Sequence, residues 1–430
     1  MNDTRTIRAV VGNDHTEIYP LPDDVVVERD VMVPTRQGPR LAANVFRPTE
    51  NGPWPVIMCC TTYGKDLHPI EYALSGRGPT NRAIGLDMGN MRVSEATPFE
   101  AADPGWWVPR GFVVVHVDAL GSGKSEGEAA LGLGDQVVDA FCDAVTWAGE
   151  QAWSNGKVGL LGISYFAMTQ WFVANLKPPS LKAIIPWEGA ADMYRDFAFH
   201  GGIFCFGFVA NWYMNHMAHH VLGKPYETNP DTFSKNWVWH YMRESLDRGQ
   251  YRGRQAEWDK LDIPFMSVGN WSGMALHLRG NTEAFMQSKS KNKKLRIHAG
   301  THYHPFYAEE ARHDQIRFLD HWLKGKKNGV MNEPPVKLLI RTGGGKGYKF
   351  RYENEWPLKR TRWTKFFLRP AKPTSLPGEP AEGALSNKTP AKPAPITYSA
   401  TGMSKAGVAS ASWTSTVLPG SVPRLGVSFE

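Results

Sequence analysis

Cysteine is scarce: 4 residues in 430, at positions 59, 60, 142 and 205. Cys59, Cys60, Cys142 and Cys205 lie in or beside apolar stretches with no metal-ligand spacing, which excludes a disulfide framework and points to reduced, buried thiols. No apolar run approaches the ~20 residues that cross a bilayer, so no membrane partner is expected. Met1 to Val10 carries Asp3, Arg5 and Arg8 without an apolar stretch or a small-residue cleavage site, and the expected location is cytoplasmic. A phosphate-binding loop is also missing, because Gly121-Ser122-Gly123-Lys124-Ser125 lacks the leading glycine of that motif. The net charge of +7 raises the question of nucleic acid. The only dense basic run, Lys289, Lys291, Lys293, Lys294 and Arg296, reads instead as a solvated turn leading into a strand, and no nucleic-acid partner is expected.

Aromatics are abundant. The chain has 16 tryptophans and 20 phenylalanines, and many fall between Phe197 and Trp239 outside strand-like text, which suggests an aromatic-lined pocket. A chain of 430 residues exceeds what one core usually serves, so a large domain and a smaller one are expected.

Val25 to Pro48 alternates apolar and polar residues and breaks at Gly and Pro, as antiparallel strands do. The pattern then changes. Pro55–Cys60 and Phe112–Val117 are continuous apolar runs, the signature of parallel strands covered on both faces. A helical period at Val137, Val138, Phe141, Val145 and Trp147 precedes the strand Val158–Leu161. Leu181–Ile185, Phe265–Val268 and Leu295–Ala299 are further short strands, so residues 1–330 read as a doubly wound α/β domain. Residues 194–258 contain no convincing buried strand and read as a helical cap over the carboxyl edge of the sheet, where ligands bind. From 331 to 430 the chain reads as a small β domain, with Val336–Ile340 and Arg362–Leu368 as strands and a Pro-rich loop over 370–395.

Val158 to Met168 is a hydrophobic strand, a Gly162-Ile163-Ser164 turn and the start of helical text, which is the layout of a nucleophile elbow. The turn would hold Ser164 in strained backbone geometry, and the Tyr165 amide at the helix start would face a developing oxyanion. An ordinary serine capping a helix is the alternative.

The sequence resembles the cocaine esterase and X-Pro dipeptidyl-peptidase group of serine hydrolases. The resemblance rests on Tyr63, on Asp118–Gly127, on Trp153-Ser154-Asn155-Gly156-Lys157-Val158-Gly159, on the elbow Gly162–Tyr165 and on Ala190–Arg195. It implies an α/β-hydrolase fold with a helical cap, followed by a jelly-roll-like domain that looks cut short, so that Val417, Leu425 and Val427 should be poorly buried. It also implies a hydrolase that needs no cofactor, Tyr63 as an oxyanion donor beside Tyr165, and His304 in Gly300-Thr301-His302-Tyr303-His304 as the general base, with His302 as the lesser candidate. The family's Asp is missing, because Ser272 occupies its place in Gly269-Asn270-Trp271-Ser272-Gly273. Glu188, after the strand that follows the nucleophile helix, is the expected substitute, with Asp192 next. The expected reaction is cleavage of a small ester or amide through an acyl-enzyme. An X-Pro dipeptidyl-peptidase, an amino-acid ester hydrolase, an acyltransferase and a silent binding relative stay open, as does assembly into a homo-oligomer.

Overall fold

A computed structural model describes residues 5–8, 15–69, 91–128, 133–213, 241–251, 253–271, 276–342, 347–369, 382–392 and 412–414. Its centre is a ten-stranded sheet. In chain order the strands are β1 (Val25–Val33), β2 (Leu41–Pro48), β3 (Trp54–Thr61), β4 (Val113–Asp118), β5 (Ser154–Ile163), β6 (Leu181–Trp187), β7 (Phe265–Asn270), β8 (Lys293–His298), β9 (Val336–Arg341) and β10 (Tyr348–Glu353). Their spatial order is β10-β9-β8-β7-β6-β5-β3-β4-β2-β1. From β9 across to β4 every pairing is parallel, and β1, β2 and β10 add antiparallel edges.

The continuous apolar runs are the parallel strands, and β4 and β7 are buried at every residue. Burial on both faces comes from helices α1 (Asp135–Glu150), α2 (Tyr165–Leu176), α3 (Leu278–Gln287) and α4 (Glu309–Lys324), which pack on the sheet. All seven parallel strands end at one edge, so the loops after β3, β5, β6, β7 and β8 meet there. This is the doubly wound α/β-hydrolase architecture expected from the sequence.

The boundary at 330/331 is corrected for the first two strands beyond it. Strand β9 pairs in parallel with β8, and β10 closes the same sheet. The reason is apolar: Val336 and Leu338 are buried with Phe285, Leu295 and Ile297 in one cluster, so β9 completes the core. A separate three-stranded sheet begins later, at Phe367–Arg369, Glu382–Ser386 and Ser412–Thr414. The strand expected from Arg362 starts only at Phe367, and Trp363 and Phe366 before it are exposed. Val417, Leu425 and Val427 lie outside the described residues, as do residues 214–240 of the cap. The described cap contains the π-helical turn Met193–Ala198, the hairpin Phe199–His200 with Ile203–Phe204 and the helix Phe206–Trp212. Among the described residues no helix is long and apolar enough to cross a membrane.

Candidate active site

Ser164 stands between β5 and α2 with φ 57° and ψ −115°, a conformation that side-chain-bearing residues avoid. Its amide donates to Trp187 O at 2.9 Å, which ties the turn to the end of β6. Its hydroxyl makes no capping bond to the helix, which disposes of the plain helix-cap alternative. Gly162 is required by close approach, since a Cβ there would lie 2.5 Å from Phe166 Cβ.

Left-handed backbone is uncommon for residues other than glycine. Here it occurs at Asp30, Glu100, Ser164, Lys177 and Glu188, and three of these five gather at the elbow. Glu100 comes from the segment before β4, and its carbonyl accepts the Ile163 amide at 3.0 Å. Glu188 follows β6, and its amide donates to Val268 O at 2.7 Å. Strain held at the carboxylates as well as the serine marks one constrained constellation.

The imidazole between the two carboxylates is His302. Its Nδ1 lies 2.8 Å from Glu188 Oε2 and its Nε2 lies 3.0 Å from Glu100 Oε1. Burial opposes the charged ring, yet the two carboxylates outweigh it and raise the His302 pKa to about 10. Glu188 is buried, which by itself would raise its pKa; the His302 and His298 rings prevail and hold it well below the ordinary carboxylate range. Its Oε1 accepts from Asn270 Nδ2 at 3.0 Å, while His298 Nε2 sits 3.2 Å away without hydrogen-bond alignment. Glu100 is pushed up to about 7 by burial, against the pull of His302 and with Glu188 adding to the rise. Its Oε2 is buried without a hydrogen-bond partner among the described residues.

His304, the base expected from the sequence, is not the ring that meets the carboxylates. It opens the short helix His304–Tyr307, its amide donates to Thr301 Oγ1, and its ring has no hydrogen-bond or ion-pair partner among the described residues. Gly300, with φ 121°, lies in the loop after β8 that carries both histidines. Asp192 is also elsewhere: it caps the turn Met193–Ala198 through the Tyr194 and Arg195 amides and pairs with Arg195. Ser272 lies outside the described residues.

Tyr63 sits just beyond β3, its ring packed on those of Tyr165 and Phe166, the two residues after Ser164, and its hydroxyl buried. The Trp212 indole of the cap donates to the same oxygen at 3.0 Å, an arrangement that strengthens the phenol as a donor. Burial raises the Tyr63 pKa well above the usual phenol value and Glu100 adds to the rise, so the proton stays in place. The rings of Tyr63, Tyr165, Trp212 and Phe197 form a connected, buried aromatic cluster beside the serine. The Asp118–Gly127 stretch is scaffold for this corner. The Asp118 carboxylate accepts the Lys65 and Lys124 amides, and the buried Lys65 ammonium binds Asp30 at 2.5 Å and Asp66 at 2.8 Å.

A further histidine touches Ser164. His277 Nε2 is 3.2 Å from Ser164 Oγ, and its Nδ1 accepts the Ala190 amide at 3.1 Å. Burial and the neighbouring His302 hold its pKa down at about 3, so the ring is neutral. Neither His277 nor Glu100 stands in a motif; each is a single residue in loop text, with no signal in the sequence to single it out.

A doubly wound sheet with a serine elbow, a histidine after a later strand and carboxylates beside it has the layout of an α/β-hydrolase. Residues 37–304 match the X-Pro dipeptidyl-peptidase (S15) family, and the chain belongs to it. Among named relatives, the cocaine esterase of Rhodococcus sp. is 34% identical over 169 residues, covering 39% of this chain and 25% of that protein. A solved CocE/NonD family hydrolase from Staphylococcus aureus is 33% identical with a TM-score of 0.71, covering 85% of this chain and 61% of that one. An α-amino acid ester hydrolase structure, at 16% identity and a TM-score of 0.56, shares the fold. The chain thus spans less than two-thirds of the length of each of these three proteins.

Proposed function

We propose that this chain is a serine hydrolase that cleaves a small ester or amide through an acyl-enzyme on Ser164. The observation that carries the reading is the strained Ser164 at the same sheet edge as a His302–Glu188 pair. His302 is the general base, in place of His304. Once His302 has lost its Nε2 proton and that nitrogen has turned from Glu100, Ser164 Oγ attacks the substrate carbonyl as its proton passes to Nε2, and the imidazolium is held by Glu188. The Tyr63 hydroxyl and the Tyr165 amide donate to the oxyanion. The proton then goes to the departing alcohol or amine, and water releases the acid by the same steps in reverse order. No step calls for a cofactor. The cytoplasmic setting and the small-molecule substrate belong to this proposal too.

His277 contacts the serine but does not fit the role of base. The Ala190 amide can only donate, so Nδ1 is the bare nitrogen of the neutral ring and Nε2 carries the hydrogen. A nitrogen that already holds its proton cannot take the one from Ser164.

One observation favours an amino-acyl or peptide substrate within this class. Phe166 and Ala167 are not acidic, Glu188 is engaged by His302, and Asp196 is tied to Arg279 and the Ala191 amide. Among the described residues Glu100 Oε2 is a buried carboxylate oxygen beside the site with no hydrogen-bond partner, and a substrate ammonium would supply one.

Labelling with a fluorophosphonate tests the main reading: wild type should be modified on Ser164, and Ser164→Ala should be neither labelled nor active while keeping the wild-type melting temperature. Activity of Ser164→Ala above about a tenth of wild type, where loss of a nucleophile costs orders of magnitude, would refute it. A panel of simple acyl esters against aminoacyl and X-Pro amides separates the substrate classes.

A further inference from the structure

The reaction described above leaves His277 without a part, although its ring is the one in contact with the nucleophile. The ring is placed with unusual care. Helix α3, which begins one residue later, packs so closely on the loop after Glu188 that a Cβ on Gly280 would lie 2.5 Å from Gly189 O and 2.7 Å from Ala191 N. Asn281 fastens the contact, accepting the Gly189 amide at 3.0 Å and donating to Pro186 O at 3.1 Å and Ser267 Oγ at 2.9 Å. With the helix and the loop locked together, the Ala190 amide reaches His277 Nδ1 at 3.1 Å.

That backbone donor sets the tautomer, and Nε2–H is left aimed at Ser164 Oγ, 3.2 Å away. A second proton on the ring would confront the Ala190 N–H with another N–H. It would also face the His302 imidazolium, stacked on His277 at 5.7 Å with 13° between the planes. Glu188 is the charged group that opposes this, and it is already engaged by His302. His277 is therefore a neutral donor throughout.

We propose that His277 is a catalytic residue, a fixed hydrogen-bond donor to Ser164 Oγ that stabilises charge on this oxygen when the serine loses its proton and again when it departs from the acyl-enzyme. This rests on Ser164 being the nucleophile. In acylation the Oγ–H bond breaks, its proton goes to His302, and the Oγ pair forms the bond to the carbonyl carbon. In deacylation the C–Oγ bond breaks, the pair returns to Oγ, and His302 gives back the proton. His277 keeps its own hydrogen in both halves, and its bond is strongest while Oγ is most negative.

Two substitutions separate the ring's two nitrogens. His277→Asn keeps an acceptor for the Ala190 amide but has nothing to reach Oγ; His277→Gln places an amide N–H near the position of Nε2. Both keep a polar side chain on the same backbone, so folding is checked by melting temperature and by circular dichroism. Steady-state kinetics with a p-nitrophenyl ester should show kcat lower by about 100-fold or more in His277→Asn, with KM changed little, as for loss of one oxyanion-type donor. His277→Gln should recover at least about tenfold of that loss, and the acid limb of the pH–rate profile should stay in place in both. Activity of His277→Asn within about threefold of wild type, equal loss in both variants, or a displaced acid limb overturns the proposal; a displaced limb would make His277 the base. The parent reading fails separately: if wild type neither turns over esters nor is labelled at Ser164 by a fluorophosphonate, the nucleophile is wrong and this inference goes with it.

Discussion

His302 Nδ1 and Glu188 Oε2 are 2.8 Å apart although they follow strands that are not neighbours, because β7 lies between β6 and β8. The carboxylate reaches across the end of β7, where Asn270 donates to its other oxygen at 3.0 Å. An aspartate in the turn after β7 would meet the same imidazole from one strand nearer. The extra methylene of glutamate, together with the left-handed backbone at Glu188, spans the added distance. This placement carries backbone strain at Glu188, and it keeps a fully buried carboxylate in direct contact with the ring.

The first prediction separates the two histidines of the loop after β8. His302→Asn should lower kcat/KM by about 10³-fold or more, as removal of a triad member does, and Glu188→Gln should also cost orders of magnitude. His304→Ala should stay within about tenfold of wild type, because its ring lacks a carboxylate partner among the described residues. The reverse ranking, measured with one ester substrate at a fixed pH, would restore His304 as the base.

The second concerns pH. His302 must lose its proton to act as a base, and the two carboxylates raise its pKa to about 10, so kcat/KM should rise with pH into the alkaline range. Removing one of those charges in Glu100→Gln weakens the hold on the imidazolium. The acid limb should then move to lower pH by about one unit or more, a differential interaction of roughly 1.4 kcal/mol per unit, and activity at neutral pH should increase. A limb that stays put or moves upward would show that Glu100 does not govern the proton on His302.

The third concerns the oxyanion. Tyr63→Phe removes the hydroxyl proposed to donate to the oxyanion and should lower kcat by about 10²- to 10³-fold with little change in KM. Trp212→Phe removes only the indole N–H that polarises this hydroxyl, and its effect should be smaller, about tenfold. Equal losses in the two variants, with a shared fall in melting temperature, would mean that the pair is part of the cap packing.

The sequence by itself determined the scaffold of this protein. Runs such as Val56–Cys60 and Val113–Val117 are apolar on both faces, the pattern of parallel strands under helices, and their succession pointed to a doubly wound sheet. The elbow at Ser164 was legible for a related reason: a strand, a glycine-relieved turn and a helix are local, and their residues are adjacent in the chain. What the tertiary structure alone decided was which polar groups the sheet edge brings together. Glu100 and His302 are 202 positions apart, Glu188 and His302 are 114 apart, and Ser164 and His277 are 113 apart. Strand order, more than local pattern, brings such partners together. A histidine two residues from another looks equivalent in text, and only the folded loop after β8 shows that His302 is the one that meets the carboxylates. Strand β9 belonged to the core for the same kind of reason, since Val336 and Leu338 found their apolar partners on α3 and β8. Local periodicity reports how a segment is buried, and long-range pairing determines what it is buried against.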